Sequence, residues 1–146
     1  MSDILLTIEL VPETCWNSNL RSVLPKKEWD VIRKEAYKNA DNQCEICGNA
    51  GRLECHEIWE YDDEKHIQKL VGLIALCSPC HLVKHMGFAR IKGKEEAAIQ
   101  QLMLVNDWTR EEANKYIEEA FRVYAERSKQ EWKQDMSLIL KEENTA

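Results

Sequence analysis

The sequence predicts an α+β fold whose centre is a strand–strand–helix unit. Two apolar runs, residues 53–61 and 67–76, have the composition of β-strands and are separated by a short polar loop. A helix is predicted to begin near Pro79 and to end at Gly87, since proline suits a first helical turn and glycine favours a stop. A Cys-x-x-Cys pair precedes the first strand and another follows the second, which indicates a hairpin and a helix clamped together.

The chain has 146 residues, the size of one ordinary domain, and shows no repeats and no low-complexity linker. We therefore expect a single domain over residues 1–146. Its predicted parts are an N-terminal strand and supporting helix at 1–43, the central unit at 44–88 and a helical extension at 89–146.

Before the central unit, the apolar residues 4–11 predict a strand that stops at Pro12. Residues 15–24 are expected to be irregular. A helix is then predicted from Pro25 to about Asn39, with one apolar face at a spacing of three to four residues. That face consists of Trp29, Ile32 and Ala36.

After the central unit, residues 95–106 predict a helix. Thr109 and Glu112 match a capping box, in which Thr109 is the N-cap of a further helix that is expected to reach Trp132. Residues 136–140 predict a short last strand, and pairing with the N-terminal strand is one arrangement for it.

Composition bounds the class of protein. The apolar fraction is 44%, the charged fraction is 32% and the net charge is −6. No apolar run approaches the roughly 20 residues that span a bilayer. The first residues carry an acid, Asp3, where a secretory signal carries positive charge. We expect a cytoplasmic protein with no membrane partner.

Four of the six cysteines form the two Cys-x-x-Cys pairs. Without a secretory signal, this spacing favours metal over disulfides, and four thiolates complete a tetrahedral structural zinc site. The remaining two, Cys15 and Cys55, are interpreted as ordinary reduced thiols. The predicted zinc ligands are Cys44, Cys47, Cys77 and Cys80.

Three histidines form a second pattern. His81 and His85 are four residues apart and share one face of the predicted helix, whereas His56 lies on the first predicted strand. Three converging imidazoles could hold a divalent metal with open positions, and such a metal suits phosphodiester hydrolysis because it polarises the phosphoryl oxygen and stabilises the leaving alkoxide. Structural histidines are the alternative interpretation. His66 lies in the polar loop and is interpreted as a surface residue.

The order Cys-x-x-Cys, Leu-x-x-His-x-Ile, Leu-Cys-x-x-Cys-His-x-x-x-His resembles the HNH endonucleases (the ββα-metal or His-Me finger family), in the branch with a four-cysteine zinc. The resemblance covers residues 44–87. It implies a DNA-cleaving enzyme in which His56, His81 and His85 bind a catalytic Mg²⁺, Mn²⁺, Ni²⁺ or Zn²⁺. The cysteine pairs match the structural zinc of that branch.

Two positions depart from the family pattern. Glu57 stands where the family has its general-base histidine, and Gly72 falls at or near the position of the family's asparagine. A carboxylate can accept a proton from water, so the predicted catalytic residues are Glu57 and His56. Glu57 could equally become a fourth metal ligand and close the site.

The expected partner is nucleic acid, and DNA is the preferred candidate. Residues 84–94 contain four basic residues and no acidic one, and these could contact phosphates or could form an ordinary solvated surface. The alternative function is a catalytically inactive zinc module that binds nucleic acid or a protein. A weaker alternative is an interaction protein that uses its acidic helical tail to bind a basic partner. The basic residues are Lys84, Arg90, Lys92 and Lys94.

Overall fold

The computed structural model describes residues 5–16 and 18–140. It shows a mixed α+β fold with a three-stranded sheet in the order β1-β2-β3. The prediction of irregular structure over residues 15–24 is corrected in part, because a short helix α1 lies within them; a 3-10 turn at Glu13–Cys15 precedes it. The elements in chain order are α1 (Leu20–Val23), α2 (Lys26–Asn39), β1 (Leu53–Asp62), β2 (Ile67–Cys77), α3 (Ser78–Lys84), α4 (Met86–Ile91), α5 (Glu95–Asn106), α6 (Arg110–Arg127) and β3 (Lys133–Asp135).

The two predicted central strands are confirmed as an antiparallel hairpin. Leu53 of β1 lies opposite Cys77 of β2 at one end, and Asp62 lies opposite Ile67 at the other. The pairing shifts once, at a bulge between Ile58 and Trp59. Because the strands are antiparallel, the start of β1 and the end of β2 meet at the same edge of the hairpin. This edge carries the residues of both predicted metal sites.

The helix after the hairpin begins as predicted, with α3 starting at Ser78, but it does not end at Gly87. It ends at Lys84, His85 breaks the helical backbone with φ −106° and ψ 56°, and α4 then includes Gly87. The prediction failed because a single glycine costs a helix only about 1 kcal/mol, which tertiary packing readily outweighs. Met86 and Ala89 of α4 are buried in the core.

The predicted N-terminal strand is wrong for the described residues, and Ile4 lies outside them. Residues 5–12, called the N-terminal strap below, form no strand. Instead the Ile8 backbone N–H donates to the hydroxyl of Tyr116 at 3.0 Å, and the Glu9 N–H donates to the carbonyl of Lys84 at 3.1 Å. Leu6 and Ile8 of the strap are buried in a core formed with helices, whereas Leu5 is 62% exposed. Composition cannot distinguish this use of apolar sequence from a strand.

The C-terminal predictions need two corrections. Helix α6 ends at Arg127 and does not reach Trp132. The predicted strand at 136–140 is wrong, because the observed strand β3 lies earlier and pairs in parallel with β2, with Lys133 beside Ile67. Strand β3 is polar and only three residues long, so it carried no apolar signal. Residues 141–146 lie outside the described part.

Three helical predictions are confirmed. Helix α2 spans Lys26–Asn39 and α5 spans Glu95–Asn106. The capping box before α6 is present, since the Glu112 N–H donates to the Thr109 hydroxyl at 3.1 Å and the Thr109 N–H donates to the Glu112 carboxylate at 2.8 Å. Within the described residues, no helix has the length and apolar character needed to cross a membrane.

The hairpin separates two apolar cores. One lies under helices α3 to α6 and contains the strap residue Leu6 together with Leu76 and Leu102. The other lies on the opposite face, where Trp29 of α2 packs with Leu70 of β2. Successive side chains of a strand therefore enter different cores, which decides what each residue of β1 can contact.

The strap is fixed by one side chain in particular. The Asn106 amide oxygen accepts from the backbone N–H groups of Leu5 and Leu6, both at 2.9 Å, and its amide nitrogen donates to the Leu6 carbonyl at 2.9 Å. We predict that Asn106→Ala lowers the free energy of unfolding by about 1 to 3 kcal/mol, since three hydrogen bonds are lost.

Urea denaturation measures that loss, and amide hydrogen exchange should become faster in the strap. Asn114→Ala is the matched control, because exposed Asn114 only accepts from the Arg110 side chain at 3.3 Å. Equal stability of the two variants would contradict the assigned role of Asn106.

Candidate metal centres

The four predicted cysteines lie together. Their Sγ atoms are all within 4.8 Å of one another, and those of Cys47 and Cys77 are 3.5 Å apart. A disulfide would hold two sulfurs at about 2.05 Å, whereas two thiolates on one tetrahedral zinc, at about 2.3 Å each, stand about 3.8 Å apart. The cluster is therefore compatible with a structural metal site, and it joins the turn before β1 to the start of α3.

The surroundings of the sulfurs also suit a metal. The Gln101 amide of α5 donates to the Cys80 Sγ at 3.3 Å, and the Cys47 N–H lies 3.5 Å from the Cys44 Sγ. Burial works to raise the pKa of Cys44, but backbone N–H groups, that of Cys47 first, outweigh it and lower the pKa to about 7. Burial raises the pKa of Cys77 to about 11. All four thiols can ionise together only if a cation compensates their charge.

The three predicted histidines also come together. His56 projects from β1, His81 from α3, and His85 follows the last residue of α3. Their ring centroids are 4.7 to 5.3 Å apart, and the Nε2 atoms of His81 and His85 are 3.1 Å apart. Two imidazoles on one tetrahedral metal, with bonds of 2.0 to 2.1 Å, place their nitrogens about 3.3 Å apart. The residues present therefore fit a three-nitrogen metal site.

Two carboxylates that sequence reasoning missed contact these histidines. Glu54 Oε1 is 2.6 Å from Nδ1 of His81, and Glu9 Oε1 is 2.8 Å from Nε2 of His56. Glu54 could have been found, because residues two apart on a strand share a face and Glu54 precedes His56 by two. Glu9 carried no such signal, since only tertiary packing brings the strap to the hairpin.

Glu9 also forms a buried ion pair. The Lys84 ammonium is 2.6 Å from Glu9 Oε2 and 2.7 Å from the Thr7 hydroxyl, and the Lys84 side chain is 5% exposed. Burial works to raise the pKa of Glu9, but the hydrogen bond with His56 and the charge of Lys84 outweigh it and lower the pKa to about 2. The prediction that Lys84 contacts phosphates is therefore wrong, because the Lys84 ammonium is bound to Glu9 and Thr7 of the strap inside the protein.

Burial keeps two of the imidazoles neutral. It is the main cause that lowers the pKa of His85 to about 3, with the neighbouring histidines contributing further. Burial also lowers the pKa of His56, and the nearby Glu9 carboxylate only partly opposes this. Neutral imidazole is the form that binds metals, so these two histidines are ready to act as ligands at neutral pH.

Glu57 does not lie at the histidine site. It follows His56 directly on β1 and therefore points to the opposite face of the hairpin, where Cys55 and Trp59 pack in the second core. Its Oε2 accepts from the backbone N–H of Leu20 at 2.6 Å, and burial raises its pKa. The predictions that Glu57 activates water or completes a metal shell at this site are corrected.

The remaining positions singled out in the sequence are Gly72 and three basic residues, and the structure does not contradict their predictions. Gly72 lies opposite Ile58 in the hairpin. Arg90 pairs with Glu95 at 2.7 Å, its guanidinium carbon lies 4.0 Å from the ring centroid of Phe121, and Lys92 and Lys94 are exposed. Contact between nucleic acid and these three basic residues stays a prediction.

No protein-family model matches the chain, and neither the curated proteins nor the solved structures contain a match to it. The chemistry of the two side-chain clusters is therefore the basis for a functional assignment.

We predict that Cys80→Ser removes one equivalent of bound metal, because a buried hydroxyl does not replace a thiolate ligand. Elemental mass spectrometry of the purified full chain measures metal per protein, and the melting temperature should fall with the lost metal. Cys55→Ser is the control, since Cys55 packs against the other core and lies outside the cluster. Identical metal content in both variants would contradict the assignment.

Proposed function

We propose that this protein is a metal-dependent endonuclease of the HNH type that hydrolyses phosphodiester bonds in DNA. The observation that carries the proposal is the convergence of His56, His81 and His85 at one edge of the hairpin. One histidine comes from the first strand of the hairpin, and the other two come from the helix that follows the second strand and the residue after it. The resemblance to ββα-metal nucleases implies this arrangement.

The four-cysteine cluster supports the same proposal as a structural zinc site. Thiolate sulfur favours zinc over magnesium or calcium, and a shell of four protein ligands leaves no open position. Zinc at this point would fix the start of β1 to the start of α3, and these two elements carry the histidines.

At the histidine site, three protein nitrogens leave coordination positions open. A divalent metal held there would polarise a phosphoryl oxygen and stabilise the leaving alkoxide. The role of His56, His81 and His85 is to hold that ion, and the role of Glu54 is to orient the His81 ring.

The exposed fractions of the side chains show which parts of the histidine site solvent reaches. The side chains of Glu54 and His81 are 32% and 21% exposed, whereas that of His56 is 5% exposed. The Glu9 side chain is 29% exposed, so the site is open to solvent beside both carboxylates. The oxygens of both carboxylates are already engaged, Glu54 with His81 and the Ser78 hydroxyl, and Glu9 with His56 and Lys84, so their roles are positional.

Two observations favour a second candidate, a metal module that binds nucleic acid or a protein without cleaving it. Glu57 is turned away from the histidines, and Glu9 is close enough to His56 to take a coordination position. A metal whose shell is filled by protein groups is structural. Binding of a protein partner through the acidic helical tail stays a prediction.

We predict that the full chain nicks supercoiled plasmid when Mn²⁺, Mg²⁺ or Ni²⁺ is added, and that His81→Ala lowers the rate by at least about 100-fold, because one of three ligands is lost. Gel electrophoresis of the plasmid measures the rate. His66→Asn is the matched control, since His66 lies in the hairpin loop and Asn tolerates its φ of 55°. Equal cleavage by wild type and His81→Ala would refute the nuclease proposal, as would DNA binding without any cleavage.

A second prediction follows from the position of Glu57. Glu57→Gln should retain plasmid cleavage within about threefold, because the amide oxygen can still accept from the Leu20 N–H and no group at the histidine site changes. The same gel assay, run beside His81→Ala, measures this. A loss as large as that of His81→Ala would show that Glu57 acts in the reaction.

A further inference from the structure

The N-terminal strap delivers a carboxylate to the histidine site from a distant part of the sequence. We propose that Glu9 is a positioning residue of this site: it accepts a hydrogen bond from the Nε2–H of His56 and so leaves Nδ1 of His56 as the nitrogen that binds the metal. The inference rests on the metal-binding part of the proposed function, and it adds the strap to the site.

The chemistry of the contact assigns the tautomer. Glu9 Oε1 is 2.8 Å from Nε2 of His56, and an ionised carboxylate can only accept a hydrogen bond. The nitrogen that faces it must therefore carry the hydrogen. A neutral imidazole has one N–H and one lone pair, so the lone pair of His56 is on Nδ1.

The neighbouring histidine follows the same rule. Glu54 Oε1 lies 2.6 Å from Nδ1 of His81, which assigns the hydrogen to Nδ1 and the lone pair to Nε2. That Nε2 is the atom that lies 3.1 Å from Nε2 of His85. For His81, then, the nitrogen left free by the carboxylate is the one that faces the centre of the site.

Glu9 is held in place on three sides. Its second oxygen accepts from the Lys84 ammonium at 2.6 Å and from the Thr7 hydroxyl at 2.9 Å, and its backbone N–H donates to the Lys84 carbonyl at 3.1 Å. A surface carboxylate would sample many rotamers, but this one is fixed by groups of the strap and of α3. It can therefore hold the His56 ring in one orientation.

Metal affinity tests the proposal in the full chain with one equivalent of zinc already bound at the cysteines. Replacing Glu9 alone would leave the Lys84 ammonium buried without its partner, which is destabilising in itself. The variant is therefore Glu9→Leu combined with Lys84→Met. Its matched control is Glu9→Gln combined with Lys84→Met, which leaves neither charge unpaired and keeps an amide oxygen that can accept from the Nε2–H of His56.

Titration calorimetry with Ni²⁺ measures binding at the histidine site. We expect the Glu9→Leu, Lys84→Met variant to bind Ni²⁺ 10 to 100 times more weakly than the Glu9→Gln, Lys84→Met control, the range typical for loss of a group that orients a ligand. Equal affinities would overturn the proposal.

Nitrogen-15 NMR of the histidine rings provides a readout that a merely structural role would not move. In the wild-type chain, before Ni²⁺ is added, we expect the hydrogen of His56 on Nε2 and that of His81 on Nδ1. A hydrogen on Nδ1 of His56 would overturn the proposal and would make Glu9 a neighbour of the metal itself. Neither measurement uses DNA cleavage. A failed nuclease assay therefore leaves this inference standing, and equal Ni²⁺ affinities would not by themselves refute the nuclease proposal.

Discussion

The antiparallel register of β1 and β2 is the constraint on which both candidate metal sites depend. It places Leu53 opposite Cys77, so the second cysteine pair returns to the turn that carries the first. It also places His56 opposite Ile74, close to the start of the helix that carries His81. A register shift of one residue would turn His56 to the other face of the hairpin and replace it with Glu57.

The register also explains why adjacent residues of β1 have different chemistry. His56 faces the core beneath α3 to α6, where it meets Glu9 of the strap. Glu57 faces the core beneath α1 and α2, where its carboxylate caps the backbone of Leu20. The strap completes the first face, since its backbone bonds to Lys84 and its Glu9 side chain neutralises the Lys84 charge there. The histidine site is therefore built from three separate segments of the chain.

Local signals in the sequence predicted much of this arrangement. Cys-x-x-Cys spacing, two apolar runs and a capping box each depend on residues close together in sequence, and each identified its element. The Glu57 prediction failed because the family resemblance was applied to a position without counting strand faces, although the alternation after His56 already contained the answer. Glu9 could not have been found in this way. Its partner is 47 residues away, and no local pattern distinguishes a strand from an extended strap pinned by Asn106.

The central claim is that His56, His81 and His85 together hold one divalent metal with positions left for substrate. A crystal structure of the chain loaded with Mn²⁺ or Ni²⁺, with anomalous data collected at the absorption edge of that metal, tests it most directly. The account predicts an anomalous peak bonded to one nitrogen of each of the three rings and to at least one water. A peak with a shell filled by protein groups, or no peak between the three rings, would contradict it.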